Sequence, residues 1–200
     1  MIHFPEADLE AFALTLHDIQ AVRLGQFRLH SGRLSPIYLD LRMLVSHPAA
    51  LRMATAVYAS ILAKLEYDIL AAAPMAGLPL GTALCLALDQ PLIYPRKTAK
   101  SYGTGKGIEG AYQIGETAVI IDDLITSGDS ILQAIAALKA GGLHVNEAVV
   151  LIDRQQGGMD NLRSAGYRPH AAMTLRQLLA FLEANQRITS GDTARVLQNL

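Results

Sequence analysis

The sequence predicts an α/β protein with a mainly parallel, five-stranded sheet and helices on both of its faces. Short apolar runs alternate along the chain with longer segments in which apolar residues recur at helical spacing. The runs are almost continuously apolar, which is typical of parallel strands that are covered on both faces. Alternation of strands and helices favours a parallel sheet. The five runs lie at residues 68–73, 92–94, 117–122, 145–152 and 170–173.

The composition suits one domain and excludes several classes of protein. A chain of 200 residues, 51% of them hydrophobic, can bury a sizeable core, so residues 1–200 are predicted to form a single domain. The 17 basic and 18 acidic residues nearly balance, which gives no overall attraction to nucleic acid or membrane surfaces. The six histidines lack metal-site spacing, and Cys85, the only cysteine, is expected in the core. We therefore expect a cytoplasmic protein with no nucleic-acid or membrane partner.

The first 45 residues are predicted to form a small hood beside the sheet. Residues 6–24 carry apolar side chains at roughly helical spacing, and Gly25 provides a stop for that helix. Two short strands are expected at residues 27–29 and 37–41, separated by a loop with glycine and proline.

The remaining helices are predicted to cover the sheet within a core of residues 46–185. They are expected at residues 48–65, in a segment that ends at Leu88, at 131–140 and at 175–184. A terminal helix is expected at 190–200.

The strongest chemical signal lies at residues 117–130. A buried strand at 118–121 leads to Asp122 and Asp123, which are expected at its carboxyl edge. Small and hydroxylated residues follow at 126–130, and their backbone N–H groups can converge on an anion at the start of the next helix. Two adjacent carboxylates beside such a loop indicate a partner rich in hydroxyls or bearing a metal, such as a ribose 5-phosphate with Mg²⁺. The alternative is an ordinary turn in which one hydroxyl caps the helix.

Residues 119–130, which read Val-Ile-Ile-Asp-Asp-Leu-Ile-Thr-Ser-Gly-Asp-Ser, resemble the phosphoribosyl-pyrophosphate (PRPP) loop of type I phosphoribosyltransferases. That motif leaves the acceptor base open, and three further stretches narrow it: residues 27–42, 96–110 and 151–158. Together these stretches resemble the orotate phosphoribosyltransferase family, including the form found as the first domain of bifunctional UMP synthase. The resemblance covers about residues 27–182, and it implies a type I phosphoribosyltransferase-like fold.

The resemblance implies a magnesium-dependent enzyme that transfers phosphoribosyl from PRPP to orotate, giving orotidine 5′-monophosphate and pyrophosphate for UMP biosynthesis. It assigns catalysis to Lys100, Asp122 and Asp123, with the two carboxylates holding ribose hydroxyls. Mg²⁺ would be held mostly by PRPP oxygens and water, so no side chain is predicted as a direct metal ligand. PRPP and pyrophosphate binding is assigned to the following loop residues: Met75, Ala76, Gly77, Arg96, Lys97, Lys100, Tyr102, Asp122, Asp123, Leu124, Ile125, Thr126, Ser127, Gly128, Asp129 and Ser130.

The stretch at residues 96–110 contains four basic residues and four glycines, a composition that predicts a mobile cationic loop. A solvated charged loop is the ordinary alternative, whereas bunched cations between glycines match a lid over pyrophosphate. Cations in a water-poor site stabilise the negative charge that develops on this leaving group. The resemblance also implies a homodimer in which residues 96–110 reach into the neighbouring site.

The resemblance assigns orotate binding to His30, Ile37, Tyr38, Thr126 and Arg154. Backbone groups near Ile37 and Tyr38 would contact the edge of the base, and Tyr38 would help to sandwich it. The planar guanidinium of Arg154 could pair with a carboxylate through two parallel hydrogen bonds. The alternatives are a plain hairpin with Tyr38 in the core and a surface ion pair for Arg154.

Three positions depart from the pattern of the family. His30 stands where orotate enzymes usually have lysine, Ala76 where some bacterial members have lysine, and Tyr102 where bacterial members often have histidine. A purine or uracil is therefore an alternative acceptor, which His30 supports and Arg154 opposes. A second alternative is a regulator that binds PRPP without turning it over, although such a protein is expected to lose Lys100 and to carry a basic DNA-binding surface.

Overall fold

The structure is a computed structural model that describes residues 6–28, 32, 34–96 and 107–199. A 3-10 helix at Leu41–Ser46 joins the hood to the remainder. In chain order, the other elements are α1 (Glu6–Asp18), β1 (Val22–Arg28), β2 (Leu34–Leu39), α2 (Pro48–Leu62), β3 (Ile69–Ala72), α3 (Gly77–Leu88), β4 (Leu92–Pro95), β5 (Ile108–Glu109), β6 (Thr117–Ile125), α4 (Asp129–Ala140), β7 (His144–Asp153), α5 (Gly158–Ser164), β8 (Arg168–Thr174), α6 (Leu175–Ala184) and α7 (Ser190–Leu197).

The described part of the chain forms a six-stranded sheet with the order β5-β4-β3-β6-β7-β8, together with a separate β1-β2 hairpin. All neighbours in the large sheet are parallel except β4 and β5, which are antiparallel. The α/β class and the five predicted strands are confirmed. The predicted number of strands is wrong by one, because the edge strand β5 has only two residues and is too short to produce a periodic pattern.

Helices pack on both faces of the sheet because successive strand residues point to opposite sides. Val119 and Ile121 of β6 belong to the apolar core that includes residues of α1, α2, α3 and α6. Ala118 and Ile120 belong to the core on the other face, which includes residues of α4 and α5.

The first helix ends at Asp18, earlier than the predicted end near residue 24. Gln20 adopts a φ of 61°, and the backbone N–H groups of Gln20 and Ala21 donate to His17 and Leu16 at 2.9 Å each. This pair of bonds is a Schellman motif, which satisfies the last carbonyls of the helix. The chain then enters β1, so the predicted helix stop at Gly25 is wrong and Gly25 lies inside a strand.

The later helices agree closely with their predicted positions. The bounds of α6 are confirmed, and the Thr174 hydroxyl caps it by accepting a hydrogen bond from the Gln177 backbone N–H at 3.1 Å. Helix α5 was not predicted, since its seven residues span only two turns. In the part of the chain that the structure describes, no helix is both long enough and apolar enough to cross a bilayer.

Substituting Gly77 tests how closely α3 packs against β6. A Cβ at Gly77 would lie 2.4 Å from the Ile121 carbonyl oxygen, which belongs to rigid backbone. We expect Gly77→Ala to lower the free energy of unfolding by about 1–3 kcal/mol, as overpacked positions do. Gly191→Ala is the matched control, because its Cβ would meet only the Thr189 hydroxyl at 3.7 Å. Urea unfolding of both variants checks the prediction, and equal stabilities would contradict the close packing.

Candidate functional site

The two carboxylates lie within β6, which continues beyond its neighbour on one side. Strand β3 ends at Ala72, opposite Ile121, whereas β6 remains paired with β7 as far as Ile125, opposite Asp153. The prediction that the strand ends where Asp122 stands is therefore wrong, because pairing with β7 prolongs it. The continuation of β6 past the end of β3 leaves Asp122 and Asp123 beside the open carboxyl end of β3.

Tyr58 of α2 supports this part of β6 through a hydrogen bond. The Tyr58 side chain is fully buried, and its hydroxyl donates a hydrogen bond to the backbone carbonyl of Asp122. Burial, followed by the charges of Asp123 and Asp122, raises the pKa of Tyr58, so the hydroxyl stays protonated as a donor. The sequence did not indicate this role, because Tyr58 occurs in an apolar helical run where an aromatic residue predicts simple core packing.

Both carboxylates are enclosed by protein. Asp122 is 6% exposed, and its Oδ1 accepts a hydrogen bond from the Asp123 backbone N–H at 3.0 Å. The Asp123 carboxylate accepts a bond from the Leu124 backbone N–H at 2.8 Å. Burial raises the pKa of Asp123, although this backbone bond, Asp122 and the positive charge of Arg42 oppose the rise. Hydroxyl groups or a cation placed here would stabilise the ionised form.

The loop after β6 is not an ordinary hydroxyl-capped turn. Helix α4 begins at Asp129 with Gly128 as its N-cap residue, at a φ of 88°, and no side chain caps it within the described residues. The Ser127 hydroxyl instead donates to Asp129 Oδ2 at 2.7 Å. The backbone N–H groups at the start of α4 therefore have no side-chain cap among the described residues and are available to an anion.

Helix α5, which the sequence did not indicate, holds this loop in place. The Asn161 side-chain amide donates to the Ser127 carbonyl at 2.9 Å. A Cβ on Gly128 would lie 2.5 Å from Leu162 Cδ1, so this position requires glycine both for its positive φ and for its close approach to α5.

Nine of the predicted PRPP-binding residues line one cavity of about 210 Å³ at the carboxyl ends of β3 and β6. They are Met75, Ala76, Asp122, Asp123, Leu124, Thr126, Ser127, Gly128 and Ser130, and Pro74 completes the lining. A second cavity of about 450 Å³ shares Pro74 and Ser130 with the first and extends to Arg96. Together they provide a space in the range of about 300–1,000 Å³ that is usual for small-molecule sites.

Three predicted PRPP-binding residues that the structure describes line neither cavity. Gly77 packs against the Ile121 carbonyl, and Ile125 is buried in the core. Asp129 is exposed and accepts the hydrogen bond from Ser127. Gly77 therefore serves the close contact of α3 with β6.

Arg96 forms an ion pair with Glu109, a partner that the sequence did not indicate. Both residues are partly exposed, and the Arg96 backbone N–H donates to the Gly107 carbonyl at 2.9 Å. Any anion that binds Arg96 has to compete with the Glu109 carboxylate.

The predicted base-binding residues occupy different environments. Ile37 is 1% exposed, so only its backbone can reach a ligand, whereas Tyr38 is partly exposed in the hood. Arg154 follows β7, and its backbone N–H donates to the Ile125 carbonyl at 3.0 Å, which places it beside Thr126. Arg154 is only 9% exposed, so it is not the surface residue that one alternative supposed.

The buried guanidinium of Arg154 has unused hydrogen-bonding capacity. Its Nε has no hydrogen-bond partner among the residues that the structure describes. Burial lowers the pKa of Arg154, yet an arginine keeps its charge in proteins. A buried cation with an open donor is suited to a carboxylate ligand.

Four predicted site residues lie outside the described residues. They are His30, Lys97, Lys100 and Tyr102.

Comparisons with known proteins show what the chain is similar to. A model of the phosphoribosyl transferase domain matches residues 41–165. The uridine 5′-monophosphate synthase of Bos taurus is 38% identical over 96% of this chain and 40% of its own length. The orotate phosphoribosyltransferase of Caenorhabditis elegans is 35% identical over 94% of this chain and 84% of its own length.

A solved structure is also similar to this chain. The crystal structure of orotate phosphoribosyltransferase from Aeropyrum pernix superposes with a TM-score of 0.78 at 31% identity, and the match covers 89% of this chain and 99% of that one. This chain spans only 38–40% of the length of two of its curated relatives, the bovine protein among them.

The matched domain covers more than half of the chain and contains β6, its two carboxylates and the loop before α4. The chain therefore belongs to the phosphoribosyl transferase domain family.

Proposed function

We propose that this chain is an orotate phosphoribosyltransferase, which transfers the phosphoribosyl group of PRPP to N1 of orotate and releases pyrophosphate. The observation that carries the proposal is the cavity in which two enclosed carboxylates and an uncapped helix N-terminus line the same space. The names of relatives that match most of this chain support orotate as the base.

Catalysis in this proposal depends on alignment and electrostatics. N1 of orotate loses its proton and bonds to C1 of the ribose, while the bond from C1 to the pyrophosphate oxygen breaks and its electron pair leaves with pyrophosphate. The departing pyrophosphate or water can accept the N1 proton, so the site needs no strong general base. It has to align the two reacting atoms and stabilise the charges that develop on them.

This work is divided among three groups of residues. Asp122 and Asp123 accept hydrogen bonds from the ribose hydroxyls and favour positive charge on the ribose ring. The backbone N–H groups of residues 126–130 bind the 5-phosphate at the positive end of the α4 dipole. Arg96 exchanges Glu109 for pyrophosphate, together with Lys97 and Lys100 of the cationic loop, and Lys100 has the catalytic role in this proposal.

Mg²⁺ fits the site as an ion held mainly by PRPP oxygens and water. The carboxylates supply hard oxygen atoms beside the cavity, and the described residues contain no cluster of three or more His, Cys, Asp or Glu that would complete a protein shell. When bound, Mg²⁺ would neutralise part of the charge on pyrophosphate.

Arg154 distinguishes orotate from the alternative bases. Adenine, hypoxanthine and uracil have no carboxylate, so they would leave its buried guanidinium unpaired, at a cost of about 1–3 kcal/mol. The open Nε of Arg154 thus favours orotate over a neutral base. His30 and Tyr38 complete the proposed base site.

The protein is further proposed to be a homodimer in which residues 96–110 of one protomer reach the partner's site. A two-fold arrangement would create two such shared sites. A cytoplasmic location also stays a prediction.

Steady-state turnover with PRPP and Mg²⁺ tests the proposed reaction. We expect orotate to be consumed while uracil, hypoxanthine and adenine are not. Arg154→Met should lower kcat/KM for orotate at least tenfold, because hydrogen bonds to charged groups contribute about 1.5–3 kcal/mol. Arg163→Met, which removes an exposed arginine on α5, is the control and should leave turnover unchanged. Turnover of another base alone would overturn the role of Arg154, and PRPP binding without turnover would favour the regulator.

Asp123→Asn is expected to stabilise the substrate-free protein while lowering its activity by tenfold or more. Burial raises the pKa of Asp123 above its usual value of 3.8, so the folded protein binds a proton that the unfolded chain releases. The resulting cost to stability is present above the raised pKa and disappears as the pH falls through it toward 3.8. Urea unfolding at a series of pH values should show an advantage for the variant at pH 7 that shrinks on acidification. A pH-independent difference would refute this explanation.

Mixing two inactive variants tests the shared site. Lys100→Ala and Asp123→Asn chains are combined under conditions that exchange subunits, and activity is measured in the mixture. We expect partial recovery, because a mixed dimer would contain one site with both residues intact. Proven mixed dimers without activity would exclude sharing of the loop.

A further inference from the structure

Arg42 connects two polar groups at the junction of the hood and the sheet. It lies in the 3-10 helix that follows β2. Its Nε donates to Asp40 Oδ1 at 2.6 Å, and its terminal nitrogen donates to the Tyr38 hydroxyl at 3.0 Å. The hydrogen bond with Asp40, followed by the charge of Asp40, raises the pKa of Arg42, so this arginine remains charged.

The Tyr38 ring also contacts two neighbouring side chains of β1. Arg23 faces Tyr38 across the β1-β2 ladder, and its guanidinium carbon lies 5.1 Å from the centre of the Tyr38 ring. The Phe27 ring centre lies 5.4 Å from that of Tyr38. The ring is thus held by cation–π and aromatic contacts, while Arg42 fixes its hydroxyl.

The 3-10 helix that carries Arg42 contacts β6, the strand that carries Asp123. Burial dominates the raised pKa of Asp123, and the charge of Arg42 is one of the influences that oppose it. The bridge from Tyr38 to Arg42 therefore ends on an element that contacts the strand of the carboxylate that would hold the ribose.

The exposure of Arg42 indicates that its contacts contribute little to folding. Its side chain is 64% exposed, and ion pairs with such exposure stabilise proteins by only about 0–1 kcal/mol. A guanidinium that binds a carboxylate and a hydroxyl at once nevertheless restricts both groups. Lysine has a single ammonium group on a flexible chain and cannot reproduce this geometry.

We propose that Arg42 is a positioning residue for the base: it fixes the Tyr38 hydroxyl and thereby orients the ring against which the base packs. The inference rests on the proposed function, since it takes Tyr38 to contact the base. It gives a role to Arg42, which lies in one of the stretches that resemble the family but received no role from the sequence.

A double-mutant cycle between Arg42 and Tyr38 tests the proposal. We expect Arg42→Gln to lower kcat/KM for orotate about tenfold, with a larger rise in KM for orotate than for PRPP. Tyr38→Phe removes the hydroxyl alone and should cause a similar loss. The double variant should lose no more than about twofold beyond either single variant, because both changes break the same interaction. Arg42→Lys should fall between wild type and Arg42→Gln.

Controls separate this proposal from folding and from the choice of base. Arg52→Gln removes an exposed arginine of α2 and should match wild type. Unfolding midpoints should change little for all four variants at positions 38 and 42. If wild type turns over a base other than orotate, the proposed function fails and the cycle is measured with that base. Wild-type kinetics for Arg42→Gln, or losses that multiply in the double variant, would overturn the role of Arg42.

Discussion

The pairing of β6 with β7 beyond the end of β3 is the constraint on which the candidate site depends. Parallel strands of equal length would bring Asp122 and Asp123 to the rim of the sheet. Here β7 carries β6 onward to Ile125, while β3 stops opposite Ile121. The carboxylates therefore lie on paired backbone beside the open end of β3. The Tyr58 hydroxyl donates a hydrogen bond to the Asp122 carbonyl. Rigid backbone of this kind suits a site that works by alignment.

The charges of the site are balanced incompletely by the fold itself. Burial disfavours the ionised form of Asp123, and Arg154 is a buried cation whose Nε lacks a partner in the described part of the chain. Such groups reduce stability unless hydrogen bonds or opposite charges compensate for lost hydration. A ligand with hydroxyls, phosphates and a carboxylate provides both. Arg96 differs from Arg154, because it already pairs with Glu109. Any anionic ligand of Arg96 must compete with that carboxylate.

The sequence predicted those features that depend on neighbouring residues. The five predicted strands follow from local apolar runs, and most of the cavity lining comes from the short stretch at 122–130. Features that depend on distant partners were missed. The length of β6 depends on its pairing with β7. The role of Tyr58 depends on its hydrogen bond to the Asp122 carbonyl. The ion pair of Arg96 depends on Glu109 of β5. The end of α1 was misplaced because Gln20 adopts a positive φ, which residue type alone rarely indicates.

Binding of ribose 5-phosphate alone tests the central claim most directly. This probe lacks both base and pyrophosphate, so it reports only on the two carboxylates and the loop before α4. We expect calorimetry to show saturable binding to the wild-type protein and its loss in an Asp122→Ala, Asp123→Ala double variant that retains its fold. Equal binding by both proteins, or no binding by wild type while PRPP still binds, would contradict the placement of the ribose phosphate at the carboxyl end of β6.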